Sequence, residues 1–382
     1  MARDPTFKSE ARRVDIVVVK NRASLIGTDC GRADRGRAPV LAAAPLWSRW
    51  SCCWLLALAP ALWAQSSDQM RLIGVGSTIP VSAFSRLLPE FERAHNSLRA
   101  NYLPYGSARG MEMVAAGTAD FAASEAPPPI HWPAGNDAPL IYFPMLVGAV
   151  VPVYNLPDVD GPLKFTAKAL AGIYLGKITR WNDPELAAAN RGVALPAVDI
   201  VVIHTGRGRG TTYIWADYLC KVSDEWKTRV GKGLSVQWPV GAEVEASGNV
   251  ARIVKNTAYS LSFVDLGYGV RAQLALGLVQ NAAGNFVAAD SVSIVAAAAT
   301  AVKAVPSDFR YSITNPPGAL SYPIASYTWL VITKRSGVKE QTIKTFLRWT
   351  LNEGQNYISD GGFTAVPKEI AGRELKAIDD LP

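Results

Sequence analysis

Two hydrophobic patterns alternate along the chain: short β-branched runs, and apolar positions recurring at helical spacing. Between them lie loops rich in glycine, serine and threonine. Residues 70–75 read as a strand that runs into Gly76-Ser77-Thr78-Ile79-Pro80, after which Phe84, Leu87, Leu88 and Phe91 follow the i, i+3, i+4, i+7 spacing of a core-facing helix. Pro80 suits the first helical turn, where its missing N–H costs nothing. The unit recurs as strand 98–103, loop Gly106-Ser107-Ala108-Arg109-Gly110 and helix 111–116, closed by Gly117. It recurs again as strand 198–203, loop 204–212 and helix 213–219. Each loop can aim backbone N–H groups at one point, with the partial positive charge of the helix start behind them. The hydroxyls of Thr78, Ser107, Thr211 and Thr212 can face a ligand or simply cap their helices. Arg207 and Arg209 add forked donors suited to oxyanions.

The remaining pattern is also mixed. Residues 121–124 form a short strand ending at Glu125, ahead of Pro127, Pro128 and Pro129, which forbid helix continuation. Residues 139–155 carry no charge; their β-branched content and three prolines predict buried strands and a crossing between lobes. Helices are expected at 165–176, from Asp183, and at 250–255, 292–305 and 341–351, with strands at 260–264 and 327–332. The turn-rich segment 311–323 is the expected return crossing. This is an α/β pattern without a fixed-period repeat.

Composition changes the picture at one end. The chain has 382 residues and a formal net charge of +7, but residues 1–64 hold ten Arg or Lys against five Asp or Glu. That leaves only +2 for the other 318 residues, so the high pI does not point to nucleic acid. Residues 1–64 read as a leader: Arg49, an apolar run over 52–64 and then polar Gln65-Ser66-Ser67 describe a secretory signal peptide, with cleavage near Ala64. Translation is expected to start downstream of Met1, near Val40 or Leu46. Cleavage leaves Cys220 as the only cysteine, expected to be buried and inert. Three scattered histidines and no His/Cys cluster imply neither a metal site nor a cofactor. No nucleophile elbow, acid–base pair or nucleotide P-loop is present, so no catalytic residue is assigned.

An ordered set of segments then becomes specific. It comprises Gly74-Val75-Gly76-Ser77-Thr78-Ile79-Pro80, Gly106-Ser107, Asp120-Phe121-Ala122-Ala123-Ser124-Glu125-Ala126-Pro127, Leu170-Ala171-Gly172-Ile173-Tyr174-Leu175-Gly176-Lys177-Ile178-Thr179-Arg180-Trp181-Asn182-Asp183, Gly208-Arg209-Gly210-Thr211 and Trp238-Pro239-Val240-Gly241. Over roughly residues 70–370 the chain resembles the periplasmic phosphate-binding proteins that serve Pst-type ABC importers. The resemblance implies a two-lobed type II periplasmic-binding-protein fold with two hinge crossings and a central cleft. Lobe one would comprise 68–148 plus 319–382, and lobe two 149–318. It implies a monomeric, secreted or periplasmic, non-enzymatic protein that binds phosphate for an ABC permease. In such proteins a carboxylate accepts the proton-bearing oxygen of hydrogen phosphate and repels sulfate.

Carried over by position, the resemblance implies that Thr78 and Ile79 supply a hydroxyl and an N–H, and Ser107 both. Glu125 stands where the family usually has Asp, and Gly210 and Thr211 match donors of the lobe-two loop. That loop departs from the family's Arg-Ala-Asp-Gly-Ser-Gly-Thr: Thr205 replaces the arginine, Arg207 the Asp, and Arg209 the ligand-binding Ser. Arg207 and Arg209 are therefore both candidates to replace the missing arginine. The alternative reading keeps the fold and binds another oxyanion or a phosphoester.

Overall fold

The β-branched runs form one large sheet whose strands carry the loops at their carboxyl ends. The computed structural model describes residues 70–127, 139–245, 247–334, 337–358 and 361–381, which fall within a unit spanning Ala64–Pro382. The expected leader, cleavage site and start lie outside the described residues. The strands are β1 (Met70–Gly76), β2 (Leu98–Leu103), β3 (Phe121–Ser124), β4 (Leu140–Asn155), β5 (Lys164–Phe165) and β6 (Val201–Thr205). They continue with β7 (Ala242–Val244), β8 (Ser260–Asp265), β9 (Ala275–Leu276), β10 (Leu278–Gln280), β11 (Phe286–Val287) and β12 (Ala325–Thr333). The main sheet runs β2-β1-β3-β12-β4-β8-β6-β7, with β9 beside β4. Strands β5, β10 and β11 make a small second sheet.

The uncharged run expected to hold several buried strands is a single strand of 16 residues. Its first part, Leu140 to Ala149, pairs antiparallel with β12, and its last part, Val150 to Asn155, with β8. β4 therefore belongs to both lobes, which accounts for its lack of charge: nearly the whole strand is buried. The return segment lies against the same point. Val150 N–H donates to Ile324 O at 3.0 Å, and Tyr322 Oη donates to Val150 O at 3.1 Å.

On one side of this junction, β1 pairs in parallel with β2 and β3; on the other, β6 pairs in parallel with β7 and β8. Parallel pairing needs helical crossovers. The helices α1 (Val81–Ala94) and α2 (Ser107–Ala115) supply them on the first side. Helix α1 buries Phe84, Leu87, Leu88 and Phe91, the apolar stripe of the sequence. Two closely packed glycines hold the first loops together. Gly76 has φ +125°, and a Cβ there would meet Ala123 O at 2.3 Å; a Cβ on Gly110 would lie 2.5 Å from Gly76 Cα.

Several boundaries differ from expectation. The strand placed at 198–203 is β6, at Val201–Thr205, so Thr205 closes the strand. The helix after it begins at Gly210, not 213, which puts Thr211 and Thr212 in its first turn. The Ala-rich helix stops at Ala301. Cys220 is half-buried rather than buried, and burial still pushes its thiol up, away from reactivity.

Candidate functional site

The loop after β1, the start of α2, the middle of β12 and the start of the Gly210–Val222 helix converge on one carboxylate. Glu125, just past β3, is buried. Ser107 Oγ, at the first residue of α2, donates to Glu125 Oε2 at 3.2 Å, and Thr328 Oγ1, from β12, donates to Oε1 at 2.9 Å. Ser77, just past β1, gives a third side-chain hydrogen bond. From the far side, a Cβ on Gly210 would lie 1.8 Å from Glu125 Oε2 and 3.0 Å from Ser107 Oγ. Only glycine admits the carboxylate so close to the start of the Gly210–Val222 helix.

Burial pushes the Glu125 carboxyl up to about 7, against the lowering effect of the bonds from Ser77, Thr328 and Ser107. Asp265, at the end of β8, is also buried and pushed up to about 7, first by burial and further by the nearby charge of Glu125. The Tyr268 N–H and the Arg271 charge oppose this shift. Asp265 Oδ1 caps the next helix through Tyr268 N–H at 3.1 Å, while its buried Oδ2 has no hydrogen-bond partner among the described residues.

The lobe-two loop closes over these groups. Ala108 N–H donates to Gly208 O at 3.3 Å, joining α2 to the loop. The loop is pinned from behind: Gly208 N–H donates to Ser235 Oγ at 3.0 Å, and Arg209 N–H to Leu234 O at 3.1 Å. Thr205 Oγ1 lies 2.6 Å from Thr212 Oγ1 and 3.3 Å from Thr211 Oγ1, so the residue replacing the family's arginine forms a buried hydroxyl cluster.

The two arginines separate. Arg207 is exposed, whereas Arg209 is half-buried with its guanidinium against Gly106: a Cβ there would lie 3.2 Å from Nη1. Arg209 Nε is buried and has no hydrogen-bond partner among the described residues. A buried donor of this kind is costly unless an acceptor reaches it.

Side-chain N-caps are unevenly distributed among the helices. The helices starting at Thr166, Asp183, Ser223, Asp265 and Asp290 each have a side-chain N-cap. The three helices that start at the cleft do not: their N-cap residues are Pro80, Gly106 and Arg209, none with a side-chain cap bond; the helices Val338–Leu351 and Lys368–Asp379 also lack one. The Ser107 hydroxyl is turned to Glu125 and the Thr211 hydroxyl to Thr205.

Of the eight expected residues, Ser107, Glu125, Arg209, Gly210 and Thr211 lie together. Thr78 is half-buried in the first loop, and Ile79 N–H donates to Ser77 Oγ at 3.1 Å. Arg207 points away. Sequence reasoning missed Ser77, Thr328 and Asp265. Ser77 stood one residue from the chosen Thr78; Thr328 and Asp265 occupy strand positions with no local signal. His204, beside the loop in sequence, is buried and stacks on Trp238 at 4.8 Å, a packing role. Among the described residues, no group of three or more His, Cys, Asp or Glu could hold a metal ion. Beside the cleft lies a cavity of about 820 Å³, bordered by Ala108, Tyr213, Lys232, Ser235, Arg310 and Ser312.

The PBP superfamily domain profile matches residues 60–353. The phosphate-binding protein PstS of Pasteurella multocida is 34% identical over 319 residues, covering 83% of this chain and 92% of that protein. The chain belongs to the PstS family. The PstS of Haemophilus influenzae is 33% identical, covering 83% of this chain and 94% of its own length. Among solved structures, a high-affinity periplasmic phosphate-binding protein (PfluDING) bound with phosphate aligns with a TM-score of 0.60 at 18% identity, over 81% of this chain and 93% of that one. The PstS-type chain thus has the two-lobed PBP fold.

Proposed function

We propose that this protein binds inorganic phosphate in the cleft between its lobes and delivers it to an ABC permease. The observation that carries this reading is the convergence of Ser107, Thr328, the Gly210 helix start and, beside them, the unpartnered Arg209 Nε around one buried point. The PstS relatives support phosphate as the ligand. We take lobe one as 68–148 plus 319–382 and lobe two as 149–318. The ligand residues in this reading are Thr78, Ile79, Ser107, Glu125, Arg209, Gly210 and Thr211, to which Ser77 and Thr328 are added. Arg209 replaces the family's arginine, and Arg207 contributes only long-range charge. Binding, not catalysis, is the function, exercised in the periplasm or outside the cell by a monomer. Among the described residues, no helix is long and apolar enough to cross a membrane.

Calorimetric titration tests this. A saturable heat with phosphate and none with sulfate is expected at pH 8, where the Glu125 carboxyl, pushed up to about 7, is ionised: it accepts a hydrogen bond from the proton-bearing oxygen of hydrogen phosphate and repels sulfate. No heat with either anion would sink the reading. The adjoining cavity favours a second reading, a phosphate monoester with its organic part in the cavity. There Lys232 is already paired with Asp217 and Arg310 with Asp308, so the wall offers little free charge. A phosphate monoester that outcompetes inorganic phosphate would select it.

A further inference from the structure

We propose that Asp217 is a positioning residue for phosphate: one buried carboxylate fastens both the segment that pins the ligand loop and the start of the return segment, and so fixes where Arg209 presents its guanidinium. This rests on the phosphate-binding reading of the cleft. Asp217 is the only acid in the Gly210–Val222 helix, where Ile214, Trp215, Ala216, Tyr218 and Leu219 around it are buried, and it is itself fully buried. A charge in such a place is costly unless several partners hold it. Here Lys232 Nζ and Thr314 Oγ1 each donate to it at 2.5 Å, Ser312 Oγ donates as well, and Lys221 Nζ lies 3.6 Å away. None of these partners is among the ligand residues of the cleft.

Each partner leads back to the ligand site by a short path. Lys232 stands just before Leu234 and Ser235, whose O and Oγ accept the Arg209 and Gly208 N–H groups at 3.1 and 3.0 Å. Lys232 Nζ also lies over the Tyr213 ring at 6.0 Å, and Tyr213 N–H donates to Arg209 O at 3.2 Å, so the lysine runs along the helix toward its start. Ser312 and Thr314 open the return segment, which reaches Ile324, bonded to Val150 on β4, and then Thr328 on β12. Lys221 Nζ adds bonds to Thr314 O at 2.7 Å and Ser312 Oγ at 2.9 Å. Ligand loop and return segment are thus tied to one helix at one carboxylate. Without its charge the Lys232 ion pair is lost and segment 232–235 is no longer drawn to the helix. The Gly208 and Arg209 backbone loses its fixed backing, and the Arg209 guanidinium can settle away from Gly106. A shift of about 1 Å there is enough to lose a charge-assisted bond to an anion.

Charge alone predicts the opposite sign. Asp217→Asn removes a negative charge from the helix whose start faces the cleft, so a purely electrostatic contribution would tighten phosphate binding, whereas loss of positioning weakens it. The test is calorimetric titration with inorganic phosphate at pH 8 of the full-length protein, Asp217→Asn, Arg209→Ala and the double variant. It is run well below the unfolding midpoints, with near-ultraviolet circular dichroism to verify folding. Asp217→Asn should weaken binding by about fivefold or more, and by less than about twofold when Arg209→Ala is already present, because the effect runs through Arg209. Affinity unchanged or raised in Asp217→Asn, or the same loss in both backgrounds, overturns this inference and leaves the proposed function standing. A purely structural Asp217 gives that result while lowering the unfolding midpoint. Should Asp217→Asn fail to fold, Lys232→Met, at an exposed side chain, enters the same cycle and is read by the same criteria. Absence of binding by the unaltered protein overturns the proposed function, and this inference with it.

Discussion

Arg207 and Arg209 stand two residues apart on one loop and have different surroundings. Arg209 lies against Gly106 with a buried, unpartnered Nε, whereas Arg207 is exposed. Removing a charge-assisted bond to a ligand costs about 1.5–3 kcal/mol, so Arg209→Ala should weaken phosphate binding roughly 10- to 100-fold. Arg207→Ala should change it less than about threefold at physiological salt, where exposed charges are screened; parallel titrations check both. Glu125 and Asp265 make a second residue-scale prediction. Both carboxyls are pushed up to about 7 in the folded protein from ordinary values of 4.5 and 3.8. Between those limits the folded state binds more protons than the unfolded one, so stability is fully present below the unfolded values and is lost as pH rises through about 7. Denaturant unfolding should show a loss on the order of a few kcal/mol from pH 4.5 to 7.5. Asp265→Asn, which keeps the helix cap, should flatten part of that slope; an unchanged slope would remove Asp265 from the account. The sequence made Glu125, Ser107 and Gly210 legible because each sits on a glycine-rich or proline-flanked loop with a chemical reason to be there. It could not separate the arginines, because exposure on a loop is decided by what folds over it.

At the scale of elements, the glycines decide how closely loop, strand and helix approach. Gly110 on α2 leaves room for the backbone of Gly76 at the end of β1, with 2.5 Å to the place a Cβ would take. Gly110→Ala must push α2 off β1 and should destabilise by about 1–3 kcal/mol, while displacing Ser107 and weakening phosphate binding; chemical unfolding and titration measure the two effects. The apolar stripe of α1 and the strand–loop–helix order were legible, since periodicities of 2 and 3.6 survive in any context. The helix starts were less so. Residues 107–110 and 210–212 contain glycine, serine and threonine, which read as loop, but the fold draws them into first turns. The absence of side-chain caps on these helices became visible only against the five capped ones.

Across the molecule, β4 joins the lobes, pairing with β12 along its first part and with β8 along its last. Within lobe two, the start of the return segment is fastened to the Gly210–Val222 helix. Asp217, buried in the Gly210–Val222 helix, accepts from Lys232 and Ser312, and from Thr314 Oγ1 at 2.5 Å. Lys221, the Ser312 and Thr314 hydroxyls and Lys232 outweigh burial and hold the Asp217 carboxyl below its usual range. Asp217→Ala strands buried partners of a charge network and should cost about 3–5 kcal/mol, measurable as a lowered unfolding midpoint. The two-lobed order was legible from an uncharged run and a proline-rich return. That the run would be one continuous strand was not, because Pro144 and Pro152 mark breaks in any local reading, whereas here Pro144 sits at a register shift against β12 and Pro152 lies opposite Phe263 in the pairing with β8. The central claim is that phosphate is held where Ser107, Thr328, Arg209 and the Gly210 helix start converge. A crystal structure of the phosphate complex tests it most directly. Phosphate oxygens within hydrogen-bond distance of Ser107 Oγ, the Arg209 guanidinium and the first-turn N–H groups of the Gly210–Val222 helix are the predicted result. Phosphate bound elsewhere, with these groups left without it, would contradict the account.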